Sequence, residues 1–294
     1  MPAFLLRRLL HAVFVTWGVV TVVFFLVRLT GDPTLFLVDQ SATQAEIAHT
    51  RALLGLDRPL AVQYADFLVA AAHGDFGVSI RDKRPAMRMV LEHFWPATVE
   101  LAAAALLLST VLAVPLGVIS ATHRGRAADH ASRLASLFLQ SMPSFWLGIM
   151  LILIFAVVLG GLLPAVALAA APLAQNVRLV RAGMLEVLGQ DYVRTARAKG
   201  LGERRVVYRH ALRNAALPVI TVAGLSLGFM LSGALIIETV FAWPGMGRLI
   251  VQAVPGRDFP VIQAGVFVFA LVFVVINVVV DILYTVADPR VRLT

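Results

Sequence analysis

Apolar positions cluster into six long runs separated by polar stretches: Leu9 to Val27, Val99 to Ile119, Leu134 to Leu159, Leu162 to Val180, Ala216 to Ile237 and Val261 to Val286. An α-helix rises about 1.5 Å per residue and a bilayer core is about 30 Å thick, so one crossing takes roughly 20 apolar residues. Each run is of that order. Backbone amides find no water in hydrocarbon and must bond within their own segment, which predicts six transmembrane helices and an all-α integral membrane fold. Pro115, Pro143 and Pro164 fall within these runs and are expected as kinks or helix ends. Only Gly160-Gly161 separates the third run from the fourth, which calls for a very short reversal.

Arg7 and Arg8 precede the first run as in a secretory leader. The run is long for a leader, however, and continues into Arg28-Leu29-Thr30-Gly31-Asp32-Pro33 rather than a small-residue cleavage site. Residues 1–29 are therefore read as the N-terminus and a retained first helix. Residues 30–95 are more polar and carry Asp32, Asp39, Glu46, Asp57, Asp66 and Asp75 among their acids. Thr43-Gln44-Ala45-Glu46 has the spacing of a capping box, and Gly55, Pro59, Gly74 and Gly77 punctuate the rest of the segment. This segment predicts a small external cap, and 96–294 a five-helix transmembrane core.

Composition agrees with a membrane solvent. Of 294 residues, 60% are hydrophobic and 14% charged, against about 45–50% and 25% in soluble chains. A net charge of +8 would point to nucleic acid in a soluble protein. Here, if the chain starts inside, sixteen of the 25 Lys and Arg lie in the inner segments, as the positive-inside rule requires, so no nucleic-acid partner is implied and both termini are expected in the cytoplasm. The absence of Cys removes disulfides, thiolate metal sites and cysteine nucleophiles. The seven His have no ligand spacing, so no metal is expected. No Gly-x-x-x-x-Gly-Lys-Ser/Thr loop occurs, so an ATP site, if used, belongs to another subunit. Neither a Gly-x-Ser-x-Gly elbow nor a paired acid and base is evident, and no catalytic residue is assigned.

The richest polar stretch of the core runs from Met184 to Leu217. Tyr192, Ala196 and Lys199 recur at helical spacing, Gly200-Leu201-Gly202 interrupts them, and Val206, Val207, His210, Ala211 and Asn214 resume the period. Two short helices meeting at a bend are predicted on the cytoplasmic side. Small Thr195, Ala196 and Ala198 beside the bend suit close approach by another protein, while the basic residues suit a partner's acids or anionic lipid. On charge alone the same stretch reads equally as a solvated basic loop.

The sequence Asp191-Tyr192-Val193-Arg194-Thr195-Ala196-Arg197-Ala198-Lys199-Gly200 resembles the cytoplasmic loop of binding-protein-dependent ABC importer permeases, in the oligopeptide, dipeptide and nickel branch. Ordered motifs extend the resemblance over nearly the whole chain: Gly31-Asp32-Pro33, Leu54-Gly55-Leu56-Asp57-Arg58-Pro59-Leu60, Gly74-Asp75-Phe76-Gly77, Pro143-Ser144-Phe145-Trp146, Glu238-Thr239-Val240-Phe241-Ala242-Trp243-Pro244-Gly245 and Asp288-Pro289-Arg290. Arg194-Thr195-Ala196 stands where the general importer motif has Glu-Ala-Ala, and Leu217-Pro218 lies farther downstream than usual; both departures are typical of the peptide branch. The resemblance implies a second homologous permease, two cytoplasmic ATPase subunits that bind ATP and Mg, and an external substrate-binding protein in a bacterial or archaeal cytoplasmic membrane. It implies that Asp191, Tyr192, Arg194, Thr195, Ala196, Arg197, Ala198, Lys199, Gly200, Leu201 and Gly202 form the ATPase-coupling loop. The cargo is expected to be short peptides, with nickel or haem left open. An ion-driven secondary transporter would carry inverted repeats and paired intramembrane charges, which are not seen, and an intramembrane enzyme would need a catalytic pair at depth, which the lone Asp281 does not provide.

Three further groups are expected to matter. Gly224, Gly228 and Ser232, spaced by four, put small residues on one face of the fifth run, for packing within the subunit or along the translocation path. Asn277 and Asp281 are polar at membrane depth in the last run and are expected to bond inside the bundle. Glu238, Phe241, Trp243 and Pro244 read as an interfacial aromatic belt and, by the resemblance, as an outer gate or docking surface for the binding protein.

Overall fold

The structure, a computed structural model, describes residues 2–29, 31, 34, 38, 43–53, 55–159, 162–215 and 217–287. Among these the chain is helical, with one isolated bridge between Val78 and Pro85. The helices are α1 (Pro2–Leu29), α2 (Gln44–Leu53), α3 (Leu60–Ala72), α4 (Ala86–His93), α5 (Val99–Thr122), α6 (Ala127–Ser141), α7 (Ser144–Leu159), α8 (Leu163–Leu188), α9 (Asp191–Ala198), α10 (Glu203–Arg205), α11 (Leu212–Ala215), α12 (Leu217–Val240), α13 (Met246–Ala253) and α14 (Phe259–Ala287). A wider π turn over Val206–Ala211 joins α10 to α11, whereas α4 meets α5 at a kink over Phe94–Thr98, where Trp95 is extended at φ −112° and ψ 119°. The Gly160-Gly161 reversal, Asp32-Pro33 and Asp288-Pro289-Arg290 lie outside the described residues.

Every predicted run falls on helix. The third does so differently from expectation: Leu134 to Leu159 is no single rod but the pair α6 and α7, bent by 106°. Met142 is extended at φ −82° and ψ 128°, because the ring of Pro143 disfavours the helical region for the residue before it. The fourth run continues beyond Val180 to Leu188, with Val180 and Met184 fully buried. Four described helices are long and apolar enough to cross a membrane, or five with the bent pair as one span; α12, 24 residues long, is counted apolar over Ser226–Val240. Large apolar side chains stand exposed along them, Phe14 at 67% and Leu153 at 72%, as suits a lipid solvent.

The chain divides into two compact units, 1–98 with 244–274, and 99–243 with 275–294. In the first, Phe24 is fully buried among Phe25, Tyr64 and Phe67, while the Arg28 guanidinium lies 3.4 Å above the Phe24 ring and donates to Gln63. The predicted capping box forms: Thr43 N donates to Glu46 at 2.7 Å and Glu46 N to the Thr43 hydroxyl at 3.4 Å. Phe76, Met89, Val90, Met246, Ile250 and Val261 make its core.

The second unit is organised on α5 and α8. A Cβ at Gly117 would stand 2.5 Å from Val180 Cβ and 2.9 Å from the Val177 carbonyl, so only glycine allows this approach. One core gathers Leu101, Ala105, Leu168, Met230 and Ile237, and another gathers Val118, Val180, Met184, Val207 and Ala211.

Candidate functional site

The loop after α8 is built by local chain rules. α9 ends in a Schellman motif: Gly200 N donates to the Arg197 carbonyl at 2.9 Å and Leu201 N to the Ala196 carbonyl at 3.4 Å, with Gly200 in the left-handed region at φ +75°. A Cβ at Gly200 would meet nothing within 4 Å, so glycine is needed there for its backbone and not for space. Gly202 opens α10 with its carbonyl accepting from Arg205 N and Val206 N. The helix, bend and second arm match the sequence pattern.

Packing separates the loop's inner and outer faces. Val193 and Ala196 are buried against Val206, with Leu201 and Leu188 over them. Ala196 is thus small for the sake of its own chain's second arm, while Asp191, Arg194, Thr195, Ala198 and Lys199 stand exposed. Arg197 grips Glu203 across the bend with Nε at 3.1 Å and Nη2 at 2.7 Å. That hydrogen bonding holds the Glu203 carboxyl below the usual carboxylate range, so the pair is ionised at neutral pH. Tyr192 Oη accepts from Asn214 Nδ2 at 2.7 Å, tying α9 to the end of the second arm. The Thr195 hydroxyl donates to the Asp191 carbonyl, and Arg194 lies 3.5 Å from Asp191.

The second arm is fastened to the spanning helices. Val207, Ala211 and Ala215 bury against Val118, Ala121, Val180 and Met184, and a Cβ at Gly183 would come 3.2 Å from the Ala215 carbonyl. The second arm is thus packed directly on the C-terminal end of α5 and on α8 around Val180 to Met184. A charge cluster that the sequence did not reveal lies beside this contact. Asp129 of α6, 1% exposed, accepts from Arg181 Nε at 2.6 Å and Nη2 at 2.9 Å, from Ser120 Oγ at 2.7 Å and from Gly125 N at 3.0 Å. Ion and hydrogen bonds thus join α5, α6 and α8. Arg181 lies 52 residues from Asp129, so no spacing rule could have linked the ion pair.

The other expected residues are dispersed. A Cβ at Gly224 would stand 2.8 Å from Val280, so Gly224 packs against α14; Gly228 is buried and Ser232 exposed. Asn277 is half-buried, while the Asp281 side chain lies outside the described residues. Glu238 is fully buried near the end of α12, and its carbonyl accepts from Trp243 N at 2.8 Å. Phe241 and Trp243 pack on the core around Leu168 and Ile237, whereas Pro244 is exposed.

Comparison with known proteins places this architecture. Residues 113–293 match the family described as binding-protein-dependent transport system inner membrane component, and residues 1–102 match its N-terminal region. The dipeptide transport system permease protein DppB of Escherichia coli (strain K12) is 37% identical over 337 aligned positions, covering 99% of each chain. The glutathione transport system permease protein GsiC of Escherichia coli (strain K12) is 39% identical over 302 positions, covering 98% of each. A chain of the MetNI methionine ABC transporter, in an inward-facing conformation, superposes with a TM-score of 0.61 at 18% identity, covering 69% of this chain and 97% of that one; the likeness is one of fold. With its spanning helices and this match along its length, the chain is a multi-pass membrane protein that belongs to the family of binding-protein-dependent transport system inner membrane components.

Proposed function

We propose that this chain is one of two homologous permeases in an ATP-driven importer of short peptides. The supporting observation is the match, along nearly the full chain, to dipeptide and glutathione permeases. Two cytoplasmic ATPase subunits bind ATP and Mg, an external binding protein delivers the peptide, and this chain forms half of the path. α12 is the fifth crossing and α14 the sixth, both termini are cytoplasmic, and 30–95 is external. The exposed face of α9, around Asp191, Arg194, Thr195 and Ala198, seats in the ATPase. Its bend and second arm carry nucleotide-driven closure to α5 and α8 through the contacts around Val207 and Met184. Glu238, Phe241, Trp243 and Pro244 belong to the outer gate and the binding protein's docking surface.

The test is uptake of a radiolabelled dipeptide by proteoliposomes containing this chain, its cognate permease, ATPases and binding protein. Uptake that needs ATP and is stopped by vanadate is expected. Uptake driven by an ion gradient without the ATPases would overturn the reading.

A further inference from the structure

A cavity of about 450 Å³ opens within the second unit, between the break in the α6–α7 pair, the middle of α8 and the middle of α12. Its floor is apolar, with Leu168 and Met230 buried, and Phe229 stands at its rim, 79% exposed. Its polar groups are Gln140, Ser144, Gln175 and Ser226, and none of its described lining residues is charged. Gln175 is midway along the 26-residue α8, and Ser226 is near the middle of the 24-residue α12. Gln140 and Gln175 are both exposed. Carboxamides at such depth are unfavourable against lipid tails and ordinarily face a cavity that holds water or solute. Helices broken at mid-membrane are a common way of lining such a cavity.

We propose that this groove is a contact point of the transported solute, where Gln140 and Gln175 hydrogen-bond the backbone of a passing peptide. A carboxamide carries both a donor and an acceptor, as the peptide bond does, so two of them can hold any sequence without reading its side chains. The exposed Phe229 offers an apolar face to those side chains. With no charge among the described lining residues, neither terminus is trapped, which suits a surface that must release what it holds. The inference rests on the proposed peptide cargo.

The chain has no Cys, so a single thiol reports on one place. Gln175→Cys and Gln140→Cys are introduced one at a time into the full transporter, with the other subunits free of cysteine, and probed with a membrane-impermeant cationic methanethiosulfonate. Both positions are expected to label, and dipeptide-loaded binding protein with ATP to slow labelling at least fivefold, while Leu153→Cys on the lipid side stays unlabelled. No labelling at 140 and 175 with or without ATP would overturn the groove, assigning it to lipid or to the second permease. Labelling indifferent to dipeptide, in a complex whose wild type imports that dipeptide, would overturn the contact. Wild-type uptake is measured alongside, so a wrong cargo class shows there and is not confused with a wrong groove. In an independent arm, Gln140→Ala with Gln175→Ala should lower the maximal uptake rate about tenfold and leave peptide affinity for the binding protein unchanged; unchanged uptake would overturn the proposal.

Discussion

Gly200 separates two effects of a side chain, steric and conformational. Because nothing lies within 4 Å of its Cβ direction, Gly200→Ala loses only the left-handed preference, about 1–2 kcal/mol. Asn, which tolerates that region, should lose less, and Pro, fixed near φ −65°, cannot adopt it. ATP-dependent uptake is therefore expected to fall in the order Asn, Ala, Pro, with Gly200→Pro inactive and all three at normal levels in the membrane. Equal uptake by the Pro variant would remove the bend from the coupling mechanism. Ala196→Asp should also abolish uptake, through a different cause: a carboxylate would enter the apolar cluster of Val193 and Val206. Much of this loop was legible in the sequence, because a helical period, two glycines and a resumed period are local facts. What the pattern could not tell was which way Ala196 faces, since both faces of α9 carry small residues and only the second arm decides between them.

At the scale of elements, the seam of α5 and α8 sets how rigidly the loop is connected. Gly117→Ala places a methyl 2.9 Å from the Val177 carbonyl, which cannot rotate away as a side chain would, and overpacking of this kind costs about 1–3 kcal/mol. Thermal unfolding in detergent should show the loss. The Asp129 and Arg181 cluster gives a sharper test. Asp129→Leu alone strands a guanidinium that is only 20% exposed and should lower the unfolding temperature clearly, whereas Asp129→Leu with Arg181→Met removes both charges and should recover most of it. If the double variant were no better than the single one, the pair would be more than mutual compensation. Neither the cluster nor the break at Met142-Pro143 was legible in the pattern. The first joins residues far apart in sequence, and the second is hidden because residues on both sides of Pro143 are apolar whether the helix continues or turns by 106°. Gln140 and Gln175 were open to the depth argument that picked out Asn277; what the pattern could not tell is that the chain brings the two to one cavity.

For the whole molecule the decisive question is orientation, since coupling loop, groove and gate have meaning only if each faces the right compartment. The argument from charge is quantitative: sixteen of 25 Lys and Arg fall inside if the chain starts inside, and the basic arms around α9 supply many of them. Fusions of alkaline phosphatase, active only outside, and of green fluorescent protein, fluorescent when folded inside, should then disagree in a fixed pattern. Phosphatase joined after His73 in the 30–95 segment should be active, and joined after Gln190 inactive; the fluorescent protein should light at the C-terminus. With α12 crossing, a single crossing by the α6–α7 pair gives six and signals at the two chain ends must agree, whereas no crossing by the pair gives five and they must differ. Replacing Arg204, Arg205, Arg209 and Arg213 by Gln should weaken the bias and yield a mixed population at the C-terminus. An unchanged, fully internal C-terminus would show that the first helix and its Arg7-Arg8 pair fix the topology without help from the coupling loop.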